Sequence, residues 1–232
     1  MATKKVKAKP KAKAPAKAVK AKAPAKAAYG YFDRPNKEYV ITRPDTPLPW
    51  INYLGTDEYC ALFSHTGGGY SFYKDASQRR ITRYRYNNIP LDANGKYIYL
   101  RDDETGEVWS TTWQPIRHDL KKYKYECRVG LSYNVITSEY KGIKAEGTYF
   151  VPEGETLEVW RVKITNTGKK PRKITAISFV EFCLWDALND MTDFQYNLNI
   201  AEMEVNKKTS TLYHLSRYRG YKDHYAYFSV NK

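Results

Sequence analysis

The sequence predicts an all-β protein: a large antiparallel β-sandwich over residues 29–232, entered through a basic tail at residues 1–28. Three observations predict it. Aromatic and β-branched residues crowd the chain from Tyr29 onward, where the Tyr, Trp and Phe residues collect, and such side chains favour pleated, half-buried surface over helix. Short runs with strand periodicity recur along that stretch, separated by residues that turn the chain. The first 28 residues share neither property, being almost entirely Lys, Ala, Pro and Val.

That tail carries ten lysines and no Asp or Glu, so removing its charge from the formal +14 leaves a body of +4. Pro10, Pro15 and Pro24 interrupt any long helix. With little apolar bulk and self-repelling charge, nothing offsets the entropy of ordering, and the tail is expected to be disordered. Such a segment can bind anions or nucleic acid weakly and with strong salt dependence. It offers no aromatic ring for base stacking.

The strands follow in order. The runs EYVIT (38–42), KYIYLR (96–101), YNVITSEY (133–140), IKAEGTYFV (143–151) and LEVWRVKITN (157–166) alternate or cluster β-branched and aromatic residues. Turn chemistry separates them at 92–95, 104–106, Lys141-Gly142, 152–154 and 167–171. Period-2 alternation in 157–166 points Trp160, Val162 and Ile164 at the core. The nearly continuous apolar run RKITAISFVEFCLW (172–185) reads as one strand covered on both faces. Residues 210–230 read as two further strands around Arg219-Gly220.

The chemical inventory is thin. Cys60, Cys127 and Cys183 are odd in number and widely spaced, which argues against a disulfide framework or zinc site and fits a reducing, cytoplasmic setting. No run approaches the length of a membrane span, and a signal-peptide apolar region is missing. His65, His118, His214 and His224 lack metal-ligand spacing. Gly67-Gly68-Gly69 reads as a tight turn with close backbone approach rather than a phosphate cradle, since no GK[ST] follows. The acid pairs Asp102-Asp103 and Asp186 with Asp190 read as solvated groups near turns. The aromatic, Arg-rich segments 65–75 and 79–90 supply groups of the kind that hold sugars, a flat ring for the C–H face and polar groups for the hydroxyls. A non-catalytic sugar-binding or structural module is one reading of those residues. Anion binding through the tail is another.

Three segments narrow the choice. YGYFDRPNKEYVITRPDTPLPWINYLG (29–55), SHTGGGYSFYKDASQRRITRYRYNNIP (64–90) and FVEFCLWDALNDMTDFQYNLNIAEMEV (179–205) resemble the opening of the cellobiose phosphorylase family, with the cellodextrin and chitobiose phosphorylases as its nearest members. The resemblance implies a sandwich of the super-sandwich type, followed in the family by a helical linker and an (α/α)₆ barrel that carries the general acid. It implies inverting phosphorolysis of a β-1,4-glucoside, cellobiose or a cellodextrin, with inorganic phosphate as co-substrate and no cofactor. The acid and the phosphate site belong to the barrel, so this stretch is expected to hold no catalytic residue and to be inactive alone. The resemblance places Tyr73 at the edge of the acceptor subsite. It places Tyr196 where the family carries an Arg, which removes a cationic donor. It further implies a homodimer in which the sandwich lies against the partner's barrel.

Overall fold

The computed structural model describes residues 28–85, 96–193, 201–216 and 225–231. Residues 1–27, the 92–95 turn, Tyr196 and the Arg219-Gly220 turn lie outside the described residues, and with them the expectations placed there.

The described residues form seventeen strands, all paired antiparallel, and one short helix. A six-stranded sheet runs in the order β1 (Gly30–Asp33), β2 (Glu38–Ile41), β9 (Tyr123–Val129), β10 (Tyr133–Tyr140), β11 (Ile143–Phe150) and β12 (Val159–Asn166). A five-stranded sheet runs β14 (Phe182–Trp185), β6 (Arg80–Thr82), β5 (Gly69–Tyr73), β4 (Tyr59–Ser64) and β3 (Ile51–Gly55). Two three-stranded sheets complete the chain. One takes β13 (Ile174–Val180), β7 (Lys96–Asp102) and β8 (Val108–Ser110). The other takes β15 (Ala201–Asn206), β16 (Thr211–Ser216) and β17 (Tyr225–Ser229).

The six-stranded sheet backs two cores. Ile41, Cys127, Ile136 and Tyr149 on its inner face meet Leu54, Tyr59, Ala61 and Phe63 of the five-stranded sheet. Tyr123, Tyr140, Ile143 and Ala145 meet Leu100, Trp109 and Trp113 in the second. Strict alternation aims these residues: β10 buries Asn134, Ile136, Ser138 and Tyr140, and β11 buries Ile143, Ala145, Gly147 and Tyr149. Ile136 lies opposite Gly147 in the register, and the Tyr149 ring folds back over that glycine, its phenol oxygen 2.5 Å from where a Cβ would stand. The ring then stacks on Phe63 at 4.2 Å across the sandwich. Burying a side chain such as Ile136 or Leu54 contributes about 2 kcal/mol. Two buried polar groups on the same face are paired: Asn134 accepts from Asn52 Nδ2 at 2.9 Å, and Ser138 donates to the Thr111 carbonyl at 2.7 Å.

Two sequence expectations are corrected. The apolar run 172–185 is not one strand covered on both faces. It breaks at Glu181 into β13 and β14, which join different sheets as edge strands, leaving Ile177 42% and Phe179 39% exposed. A bulge between Phe182 and Trp185, and a left-handed Trp185 at φ 68°, turn the chain out of β14 into α1 (Ala187–Thr192), a helix the apolar run had concealed. On β12, Trp160 packs on the first core and Val162 on the second, but Ile164 is 41% exposed because that end of the edge strand runs past the packed layers. Among the described residues no helix is long and apolar enough to cross a membrane.

Candidate functional site

Tyr73 ends β5, opposite Tyr59 on β4. The chain then turns tightly, with Lys74 left-handed at φ 61°. Asp75 holds the turn by accepting from the Ser77 and Gln78 amides at 2.8 and 2.6 Å, and those amides, Gln78 first, keep its carboxyl below the usual range. Arg79 returns to the sheet, its carbonyl accepting from the Tyr73 amide at 3.0 Å. The closed loop sets Lys74 Nζ 5.0 Å and the Arg79 guanidinium 5.8 Å from the Tyr73 ring centroid. Glu58 pairs with Lys74 at 2.8 Å and, with the Tyr73 hydroxyl, raises the Lys74 pKa. The result is a half-buried aromatic ring flanked by two cations, which suits a pyranose face and its hydroxyls. Sequence reading found Tyr73 but not Lys74 and Arg79, which reach the ring only because the 74–79 loop closes.

The carboxylates are committed elsewhere. Asp102 and Asp190, read as solvated, are buried at 2% and 3% exposure, and Asp186 is buried too. Asp190 takes a bidentate pair from Arg83 at 2.7 and 2.8 Å. Asp186 caps α1 by accepting from the Leu188 and Asn189 amides. Asp102 accepts from the Glu104 and Thr105 amides and Arg172, the Glu104 amide acting most strongly to lower its pKa. Asp103 is lowered by Thr175 and then Arg101. These four carboxylates anchor the donors that surround them. They were misread because Arg83, Arg172 and Thr175 reach them from far along the chain, and because Asp102 and Asp186 accept from the amides of the turn and the cap they close.

The histidines are structural where described. His65 Nδ1 accepts from the Trp50 amide at 3.2 Å, so its proton sits on Nε2, facing the Pro44 carbonyl and Thr46 Oγ1 at 3.0 Å each. Burial pushes its pKa down. His118 stacks on Tyr140 at 4.4 Å. His214 stacks on Phe182 at 5.0 Å, and burial lowers it as well. His224 lies outside the described residues. The glycine turn is buried, with Gly67 at φ 85° and Gly69 at φ 110°. Its Gly67 and Gly68 amides are spent on the Ser64 carbonyl and hydroxyl, so the close-approach reading stands and no phosphate cradle forms. The three cysteines are free thiols, and burial pushes Cys127 up to about 12. Among the described residues no cluster of His, Cys, Asp or Glu could hold a metal. An open groove of about 520 Å³ between Thr42–Pro44 and Leu120–Tyr125 shares no lining residue with the Tyr73 loop.

Comparison with known proteins bears on the fold and its family. The model of the glycosyl hydrolase 94 supersandwich domain matches residues 37–232. The chain is 50% identical over 178 residues to an N,N'-diacetylchitobiose phosphorylase of Vibrio furnissii, covering 77% of this chain and 22% of that protein. It is 49% identical over 173 residues to the corresponding enzyme of Vibrio proteolyticus, covering 75% and 22%. A solabiose phosphorylase of Paenibacillus borealis is 35% identical over 182 residues, covering 77% and 23%. The chain thus spans about a fifth of the length of these relatives. An almost wholly antiparallel β fold is what this match accounts for: the chain belongs to the glycosyl hydrolase 94 supersandwich family.

Proposed function

We propose that the chain serves as the substrate-shaping domain of an inverting disaccharide phosphorylase, lending the acceptor-side rim while the acid and the phosphate site come from elsewhere in a longer polypeptide. The observation that carries this reading is Tyr73, held half-buried between Lys74 and Arg79 at the end of β5. The identity to two chitobiose phosphorylases supports a β-linked N-acetylglucosamine disaccharide ahead of cellobiose or a cellodextrin as the substrate. One half-buried ring and two cations give a weak site, so the isolated chain is expected to bind such a sugar with a Kd of roughly 1 mM or weaker.

Titration by NMR tests it. N,N'-diacetylchitobiose should shift the Lys74 and Arg79 backbone amide resonances more than cellobiose does, and Tyr73→Ala should abolish those shifts without lowering the melting temperature. The same chain given phosphate should release no sugar 1-phosphate. In a phosphorylase containing the domain, Tyr73→Ala should raise the acceptor KM about 5- to 30-fold with kcat nearly unchanged, the loss of one uniform aromatic contact worth about 1–2 kcal/mol. A Tyr73→Ala chain that melts earlier while the acceptor KM stays fixed would return Tyr73 to ordinary packing.

A further inference from the structure

We propose that the open groove beside Tyr29 and the lysine tail that joins the fold there form one surface for double-stranded nucleic acid, gripping its phosphates without sequence preference. Arg43 lines one wall of the groove, Lys121 and Lys124 line the other, and among the described residues no acid lines either. Tyr29 is fastened to the Arg43 wall. Its carbonyl accepts from the Thr42 amide at 2.8 Å and the Thr42 hydroxyl at 3.2 Å, and the Arg43 guanidinium lies 5.1 Å from its ring centroid. Lys26 stands three residues earlier, within about 10 Å of extended chain. Ten lysines with no Asp or Glu among them therefore reach the fold at a cationic groove. The supersandwich match begins at residue 37, so the tail is an addition outside it.

The groove alone would hold an anion loosely. Arg43 is forked by Asp45 at 2.7 and 2.6 Å, and Lys124 meets Glu139 at 3.1 Å. Lys121 pairs with no acid among the described residues, Asp119 accepting from its backbone amide at 3.0 Å. The Lys124 side chain is 76% exposed, so its pair is screened by water and yields readily to a phosphate. The tail then tips the balance, and its chemistry selects the occupant. Beside lysine it carries almost only Ala, Pro and Val, which neither stack on bases nor anchor in a bilayer. In the groove Tyr123 and Tyr125 spend their rings on the second core. Charge is what remains, and a duplex answers it most fully, with one phosphate for about every 1.7 Å of axis and condensed counterions to release. The groove shares no lining residue with the Tyr73 loop, so this surface is independent of the sugar reading.

Fluorescence anisotropy of the 232-residue chain against a labelled DNA duplex of mixed sequence tests the surface. Affinity should fall about a thousandfold between roughly 50 and 200 mM salt, as for six or more phosphate contacts, and should not depend on the duplex sequence. Lys→Gln at all ten tail positions should weaken binding about a hundredfold or more at the lower salt. Lys121→Ala should reduce the slope of log affinity against log salt by about 1, the mark of one lost phosphate contact. Arg34→Ala should leave the slope unchanged, since Arg34 is exposed in the β1–β2 turn, past the Val129 end of β9 and away from the groove at its Tyr123 end. These side chains lie in the tail or on the exposed surface, so folding is not at stake. A salt-insensitive affinity, tail lysines that can be replaced without loss, or a Lys121→Ala slope equal to the parent's overturns the proposal. Binding to polyglutamate, or to vesicles of phosphatidylcholine and phosphatidylserine, as tight as to the duplex overturns it as well.

Discussion

His65 and His214 sit in the sandwich as neutral imidazoles, and their burial converts directly into a pH dependence. Burial lowers both below the ordinary 6.5, with main-chain contacts at Pro44 and Trp50 opposing the shift for His65 and at Cys183 for His214. The unfolded chain therefore binds protons that the folded chain refuses once the pH drops below about 6.5. Stability is fully present above that value and is lost as pH falls toward the folded pKa values, by up to about 1.4 kcal/mol per pH unit for each such histidine. Urea midpoints measured between pH 7.5 and 5 should fall along this limb. His214→Phe keeps the ring stack on Phe182 and removes one proton, so its decline should be shallower. An acid limb of unchanged slope in that variant would take His214 out of the account. The buried Arg83–Asp190 pair belongs to the same scale: two bonds at 2.7 and 2.8 Å join them, and removing either side chain strands the other's polar group away from water.

At the level of elements, the buried turn from His65 to Gly69 fixes how β4 meets β5. A Cβ on Gly69 would stand 2.0 Å from the Leu62 carbonyl oxygen, in a backbone conformation at φ 110° that side chains rarely adopt. Gly69→Ala should cost at least about 2 kcal/mol, visible as a lower urea midpoint, because the contact is backbone on backbone and cannot move aside. A midpoint within error of the parent would show the hairpin to be pliable. This tightness was legible in the glycine triplet, as were β7, β10, β11 and β12, each seven or eight residues long, and β2 through its cluster of aromatic and β-branched residues. The shorter strands β3 to β6 and β8 were not legible, since three to six residues bound by long-range partners leave no periodicity to count. Edge status was also invisible: the sequence of β13 is as apolar as a central strand, and only the topology shows that among the described residues it pairs on one side alone. Of the proposed site, the resemblance pointed to Tyr73 alone, whereas the cations beside it and the partners of the buried carboxylates depend on loop closure and tertiary contact.

On the scale of the whole molecule, the six-stranded sheet is shared property, with one core against the five-stranded sheet and a second against β7 and β8. Lys96 ties these layers together. Its ammonium is wholly buried and bonds Glu158 at 2.9 Å, just before β12, and Ser71 on β5 at 3.1 Å, above the Phe63 ring. Tyr125 on β9 packs against both cores, and its hydroxyl donates to the His65 carbonyl in the β4–β5 turn. That single ring decides whether heat sees one object or two. With it in place the cores should melt as one cooperative unit, giving a calorimetric enthalpy equal to the van't Hoff value. Tyr125→Phe keeps the ring and should keep the single peak, at a lower temperature. Tyr125→Ala should broaden the peak or split it, with the van't Hoff enthalpy falling below the calorimetric one, as the half bearing β7 and β8 lets go of the half bearing β3 to β5. A sharp single peak in that variant would mean that the backbone of the shared sheet alone carries the cooperativity.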